Sequence, residues 1–262
     1  MENKTLSKIM AVAQNVLNEC IRHKILNVLF IFAAAIIGGS FIIKELAPGA
    51  EKRALIDTGY ASIELFGFLT LLISIFITTF EEFEMKNIWI TLTKPVGRTT
   101  YTLGKFAGIS LTLILNISLM FILLLGLALL NGMALDINYF LVIIGVTLSL
   151  LVTAAFSLLF SIVSTNLPTG ITFSALFFFI GHLTVHLNSL ADKDTTAPAL
   201  KILLKAIYYI LPNLSAFNLK DKVYMVDGAF NLFYIFSTLA YGLAYIVACL
   251  IITNIAFSKK EM

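Results

Sequence analysis

The chain of 262 residues is 59% hydrophobic and only 13% charged, with a mean hydropathy of +0.96, whereas a soluble globular domain carries about 25% charged residues. That balance excludes an ordinary water-dissolved domain, and a net charge of +3 scattered along the sequence speaks against a nucleic-acid surface, which needs clustered basic residues. Two cysteines, Cys20 and Cys249, in apolar surroundings near opposite ends, exclude a disulfide framework and leave no pair for a metal knuckle.

In the N-terminal stretch 5–24, Leu6, Ile9, Met10, Ala13, Val16, Leu17, Cys20 and Ile21 recur every three or four positions, with Lys8, Asn15, Asn18, Glu19 and Arg22 falling elsewhere. The period predicts an amphipathic helix, too polar to cross a bilayer and suited to lying along its interface. The other reading is an extension of the first span. No short apolar core followed by a small-residue cleavage site is present, so the first apolar run is expected to be retained.

Crossing the hydrocarbon core takes about 20 apolar helical residues, because each rises only 1.5 Å and no backbone group can stay unpaired there. The stretches 25–43, 61–80, 106–130, 139–163, 169–187 and 229–257 qualify. The expected fold class is an all-α integral membrane protein, a single transmembrane domain over 1–262 with six spans and both termini on one side. Ten of the eighteen basic residues flank the spans on that side, among them Lys4, Lys8, Arg22, Lys24, Lys86, Lys94, Arg98, Lys105, Lys259 and Lys260. The positive-inside rule makes it cytosolic.

Glu64 is expected in the first turn of the second span, where the helix dipole and interfacial water stabilise a carboxylate; a proton or cation relay at depth is the alternative. The segment 81–105 then concentrates Glu81, Glu82, Glu84, Lys86, Lys94, Arg98 and Lys105 around a short apolar patch containing Ile88 and Trp89, closed by Pro95. A short helix with an exposed apolar face is suited to docking a partner, and a solvated loop with a basic flank fits the same composition. Gly104 and Gly108 are spaced for close helix approach.

Only 164–168 separates the fourth and fifth spans, which makes them antiparallel neighbours. His182 and His186 on the fifth share one helix face and could ligate a metal, yet no third ligand stands nearby in sequence; hydrogen-bonding groups at the interface are the plainer reading. Between spans five and six, the 13 residues bracketed by Pro198 and Pro212 are too short to span and present Lys201, Lys205 and Tyr209 on one face. Together with an amphipathic stretch at 223–226, they predict an outer re-entrant helical segment over 198–226.

Sequences that carry hydrolytic chemistry are missing. Gly104-Lys105 is followed by Phe106, with no glycine five residues before Gly104, so no phosphate loop forms, and neither a metalloprotease helix nor a nucleophile elbow occurs. The sequence therefore assigns no catalytic, cofactor-binding or metal-binding residue.

Three stretches, NVLNECIRHKILNVLF (15–30), EEFEMKNIWITLTKPVGRTTYTLGKF (81–106) and YYILPNLSAFNLKD (208–221), resemble the permease subunit of the type-2 (exporter) ABC permease family. The second is the most specific: acidic residues ending span two, a short helix, Lys-Pro, an Arg three beyond the Pro, and Gly-Lys entering span three. Met85-Lys86-Asn87 departs from the glycine and threonine that many relatives place there. The resemblance implies that Glu81, Glu82, Glu84, Lys86, Ile88, Trp89, Lys94, Pro95 and Arg98 form a coupling interface for a separate ABC ATPase subunit, which would hold the ATP and Mg. It implies an interfacial-helix role for Glu19 and Arg22, the family's Gly-Lys entry to span three at Gly104 and Lys105, and a second permease copy, identical or not, in the cell membrane. Gradient-driven secondary transport is the main alternative, disfavoured by the lack of matching broken helices in the two halves and by the near absence of deep charges suited to ion coupling. A membrane factor for metalloenzyme cofactor maturation is the other.

Overall fold

Apolar residues at helical spacing dominate the chain, and the computed structural model describes residues 2–46, 49–80, 97–133, 136–164, 166–191, 198–220 and 232–259 as helices and their turns, with no strand among them. In order these are α1 (Glu2–Arg22), a 3₁₀ turn (Ile25–Asn27), α2 (Val28–Leu46), α3 (Glu51–Ile75) ending in a π turn (Phe76–Phe80), and α4 (Arg98–Leu130). After them come α5 (Ile137–Val163), α6 (Leu167–Ala191), α7 (Pro198–Ile210), a 3₁₀ turn (Leu214–Phe217) and α8 (Leu232–Lys259).

Among the described residues, five helical stretches are long and apolar enough to cross a membrane: Glu51–Thr79, Arg98–Leu130, Ile137–Val163, Leu167–Leu187 and Phe233–Lys259. Where 25–43 is expected to span, α2 contributes a shorter apolar stretch, Ile31–Ser40. The helix that carries the expected second span begins ten residues before residue 61, because the polar turns from Glu51 to Asp57 continue it, with Arg53 and Asp57 paired across one turn at 3.7 Å.

α1 is a helix of its own, not an extension of α2. Its last amide bonds fold back, His23 N–H to Glu19 O at 3.0 Å and Lys24 N–H to Ile21 O at 3.0 Å, and Lys24 takes φ 57, a left-handed corner that turns the chain away. Ala13, Val16 and Cys20 are buried while Leu6, Met10 and Ile21 remain exposed, so the bundle covers the centre of the apolar face and leaves one edge and the N-terminal turn uncovered.

α3, α4 and α5 form the centre, with Leu71, Leu113, Met120, Leu124 and Leu150 fully buried between them. α1 lies along the first half of α4, α2 against α3 and α4, α8 against α5, and α6 between α5 and α7. A ring stack, Phe156 on Phe177 at 4.1 Å, joins α5 to α6. Between α4 and α5 the chain reverses through Gly132 at φ 68, with Gly132 N–H bonded to Leu129 O and Met133 N–H to Ala128 O at 3.1 Å. This doubly bonded helix stop needs a residue free to be left-handed. Asp136 then caps α5 by accepting from Asn138 N–H at 3.1 Å.

The end of the bundle where α3 and α8 finish and α4 begins is called the base here, and the end with the α4–α5 reversal the top.

Candidate functional site

At the base, the residues between α3 and α4 are those the sequence singles out. Glu81, Glu82, Glu84, Lys86, Ile88, Trp89, Lys94 and Pro95 lie outside the described residues, as does 223–226. What the structure places is how the chain enters and leaves that stretch. α3 ends in its π turn, a shape that displaces a backbone carbonyl from the regular ladder. There Thr78 O accepts a hydrogen bond from Lys105 Nζ on α4. Lys105 is 1% exposed, with its ammonium over the Tyr101 ring, 5.0 Å from the centroid. Burial of a cation is tolerable because carbonyl and ring face stand in for water.

Arg98, in the first turn of α4, crosses to α8. Its Nη1 donates to Phe257 O at 3.1 Å and to Ser258 O at 2.6 Å, and its guanidinium carbon lies 5.8 Å from the Phe257 ring centroid. A helix end leaves its last carbonyls without intrahelical partners, and a cation there both bonds them and complements the dipole. Tyr101 stacks on Phe257 at 5.7 Å beneath this contact. Alongside runs a groove of about 240 Å3 between α4 and α8, lined mainly by Leu103, Val247, Leu250 and Ile251, with Thr102 and Asn254.

Gly104 and Gly108 face α1. A Cβ added to Gly104 would meet Val12 Cβ at 2.6 Å, and one on Gly108 would meet Val16 Cβ at 2.5 Å and Ala13 O at 2.8 Å, so the helices touch backbone to side chain. In α1, Glu19 accepts from Asn15 Nδ2 at 2.9 Å and Arg22 lies exposed in the last turn. Cys20 is buried beside Thr112 and Ser74, and burial pushes its thiol pKa up. Above this, Thr70, Ser74 and Thr78 bond successive carbonyls of α3, and Asn116 Nδ2 donates to Thr70 Oγ1. Asn116 Oδ1, Ser149 Oγ and Ser157 Oγ have no hydrogen-bond partner among the described residues.

Toward the top, Glu64 stands elsewhere than its expected first turn. It is the fourteenth residue of α3, about 20 Å along the axis at 1.5 Å per residue, too far for the dipole of the helix start to stabilise it. Its Oε1 lies 2.9 Å from His182 Nε2 on α6, and its Oε2 lies 3.8 Å from Lys220 Nζ. His182 Nδ1 faces Phe178 O at 2.9 Å, so both ring nitrogens have protein partners. His186, one turn on, is exposed, and no three His, Cys, Asp or Glu side chains among the described residues are grouped to hold a metal ion.

The segment from Asn213 to Lys220 is sunk among the helices beside this cluster. Gly145 on α5 and Gly181 on α6 make room for it: added Cβ atoms would lie 2.3 Å from Phe217 O and 2.6 Å from Leu214 Cδ1. Its polar atoms are matched by side chains. Asn213 N–H donates to Tyr241 Oη at 2.9 Å, Tyr234 Oη to Ala216 O at 3.2 Å, Ser215 Oγ to His182 O at 2.6 Å, and Thr184 Oγ1 to Asn213 Oδ1 at 3.0 Å. Glu64 and His182 stand out singly in the sequence, while Lys220 lies within the stretch 208–221 that carries the resemblance, with nothing local to tie it to Glu64.

None of these groupings pairs a nucleophile with a base. Together they describe a helical bundle with ionic fastenings at both ends. No curated protein matches the chain. The family model described as ABC-2 family transporter protein matches residues 3–255, nearly the whole bundle, and the chain therefore belongs to the ABC-2 family of membrane transport proteins, as a permease.

Proposed function

We propose that this permease is the membrane subunit of an ATP-binding cassette exporter, that its base faces the cytosol, and that ATP and Mg are held by a separate ABC ATPase subunit seated on 81–96. The observation that carries the reading is the anchoring of both ends of that stretch. Thr78 at its entrance is held by Lys105, and Arg98 at its exit is held to the last carbonyls of α8. A push on 81–96 is thus delivered to α3, α4 and α8 together, which is what converts closure of a docked partner into relative motion of spanning helices. Within the stretch, the apolar patch around Ile88 and Trp89 is the docking surface, with Glu81, Glu82, Glu84, Lys86, Lys94 and Pro95 shaping it.

On this reading α2 is the first of six spans, completed by its flanking residues, and α1 lies in the interface with Leu6, Met10 and Ile21 toward the acyl chains. α7 and the segment through Lys220 form an outer re-entrant unit that acts as external gate, and two permease copies, identical or not, surround the path. Gly104 and Gly108 hold α1 on α4 so that the interface helix moves with the third span.

The test is affinity purification from gently solubilised native membranes, with mass spectrometry and an ATPase assay of the eluate. A stoichiometric nucleotide-binding subunit, lost when 88–92 is made polar, is the expected result. Absence of any ATPase across several detergents overturns the proposal. One observation favours gradient-driven transport as a second reading, the ionisable cluster of Glu64, His182 and Lys220 within the bundle. An ion gradient driving transport in ATPase-free liposomes would establish it in place of the first.

A further inference from the structure

Three ionisable side chains from three separate elements converge near the top: Glu64 from α3, His182 from α6 and Lys220 from the end of the sunken segment, with side-chain exposures of 15%, 27% and 13%. An ionisable group with this little exposure is costly to keep unpaired, and such groups persist where they are paired. The pairing here is complete for the ring. Nδ1 faces Phe178 O and Nε2 faces Glu64 Oε1, both at 2.9 Å, an arrangement that the doubly protonated, cationic imidazole satisfies at both nitrogens. The carboxylate then lies between two cations, using one oxygen for each.

The surroundings give this cluster a mechanical meaning. One turn toward the base from both Glu64 and His182, Phe68 stacks on Phe178 at 4.1 Å with planes 7° apart. α3 and α6 are thus joined by two rungs, ionic above and aromatic below. Lys220 closes the upper rung from the third side. His182 serves twice, its ring bonded to Glu64 and its backbone carbonyl accepting from Ser215 Oγ at 2.6 Å. Tyr241, Tyr234 and Thr184 hold the segment to α8 and α6, and Lys220 ties it to α3 through Glu64. α3 is also the helix whose base end is held by Lys105, fourteen residues from Glu64 and about 21 Å along the axis.

We infer that Glu64, His182 and Lys220 form an ionic latch that holds the segment Asn213–Lys220 in the bundle, and that movement of α3 relative to α6 opens it. The inference rests on the proposal that this segment is the outer gate. Parting α3 from α6 would separate the carboxylate from both cations in one motion, and a buried pair broken on one side is left as an uncompensated charge. The latch therefore favours two discrete states, engaged in the bundle or released where water reaches the charges.

The experiment uses the permease with its ATPase subunit in nanodiscs, in a Cys20→Ala, Cys249→Ala background carrying Ala216→Cys in the segment. The rate of labelling by a membrane-impermeant maleimide is followed in the resting complex and with ATP trapped. Glu64→Gln and Lys220→Met are each expected to speed resting labelling by about tenfold, and the double variant to label no faster than the faster single one, because both act through one contact. Lys220→Met guards against misfolding, since it changes no spanning helix; each variant is compared at matched thermal stability and monodispersity. Labelling equal to the parent in both single variants, or additive effects in the double, overturns the latch. If ATP trapping leaves the parent's labelling unchanged while the variants speed it, the latch stands and the gate reading falls. If trapping speeds labelling and the variants do not, the gate stands without the latch.

Discussion

Lys105 shows how a residue's chemistry can be inverted by its surroundings. Beside a membrane span a lysine is ordinarily a solvated flank, yet this one is 1% exposed and spends its ammonium on Thr78 O and the Tyr101 ring. Lys105→Met keeps the stem's packing and removes both interactions, leaving the carbonyl without that donor. The expected cost is about 1 to 3 kcal/mol, read as a lowered thermal midpoint of the purified complex; an unchanged midpoint would mean the carbonyl finds another partner. Arg98 is tested differently, because its bond is to a helix end. Arg98→Ala should raise amide hydrogen exchange through the last turn of α8 by about tenfold, with little change at the top of the bundle. Cys20 supplies a pH test. Its thiol pKa is pushed up by burial, so the thiolate is scarce through the range where an exposed cysteine becomes reactive. Alkylation of the folded protein is expected to stay slow from about pH 7 to about pH 9 and to become complete on denaturation. Rapid labelling at neutral pH would show that α1 leaves its site.

Among the elements, the α1–α4 contact is the one most exposed to a single substitution. A side chain at Gly108 meets Ala13 O as well as Val16, and backbone cannot rotate aside as a side chain can. Gly108→Val is expected to lift α1 from α4, seen as new protease cleavage within α1, and pairing it with Val16→Ala should restore only part of the protection because the Ala13 carbonyl remains. The glycine spacing is readable in the sequence; its partner is not, since nothing local says that an amphipathic helix will press its apolar face onto the third span. The same division holds across the chain. The apolar stretches could be read because transfer into lipid is set residue by residue within one helix, and α3's extension back to Glu51 escaped because polar turns add no such signal. Glu64 was noticed for being ionisable in an apolar run. Its partner His182 lies 118 residues away, and only tertiary packing could reveal that the two histidines do different things. Lys105 was assigned by rule to the aqueous flank, where the structure places it inside.

For the whole molecule, α3 joins the two ionic fastenings, held by Lys105 near its base end and by His182 and Lys220 toward the top. Docking at 81–96 and release at the top are then separable events along one rod, and the chain provides a probe for the first of them. Trp89 is its one tryptophan and belongs to the proposed docking patch. Permease labelled with 5-fluorotryptophan should therefore give a single fluorine resonance, shifted on addition of the unlabelled ATPase subunit and shifted again when ATP is trapped. Glu64→Gln is expected to leave the docking shift intact, because Glu64 lies about 21 Å along the helix axis from Thr78, where the chain enters that stretch, while changing how much ATP is needed for the second shift, since the top no longer resists. A docking shift abolished by Glu64→Gln would mean that the base itself depends on the ion pair, and the picture of α3 as a rod with independent ends would give way to one cooperative bundle.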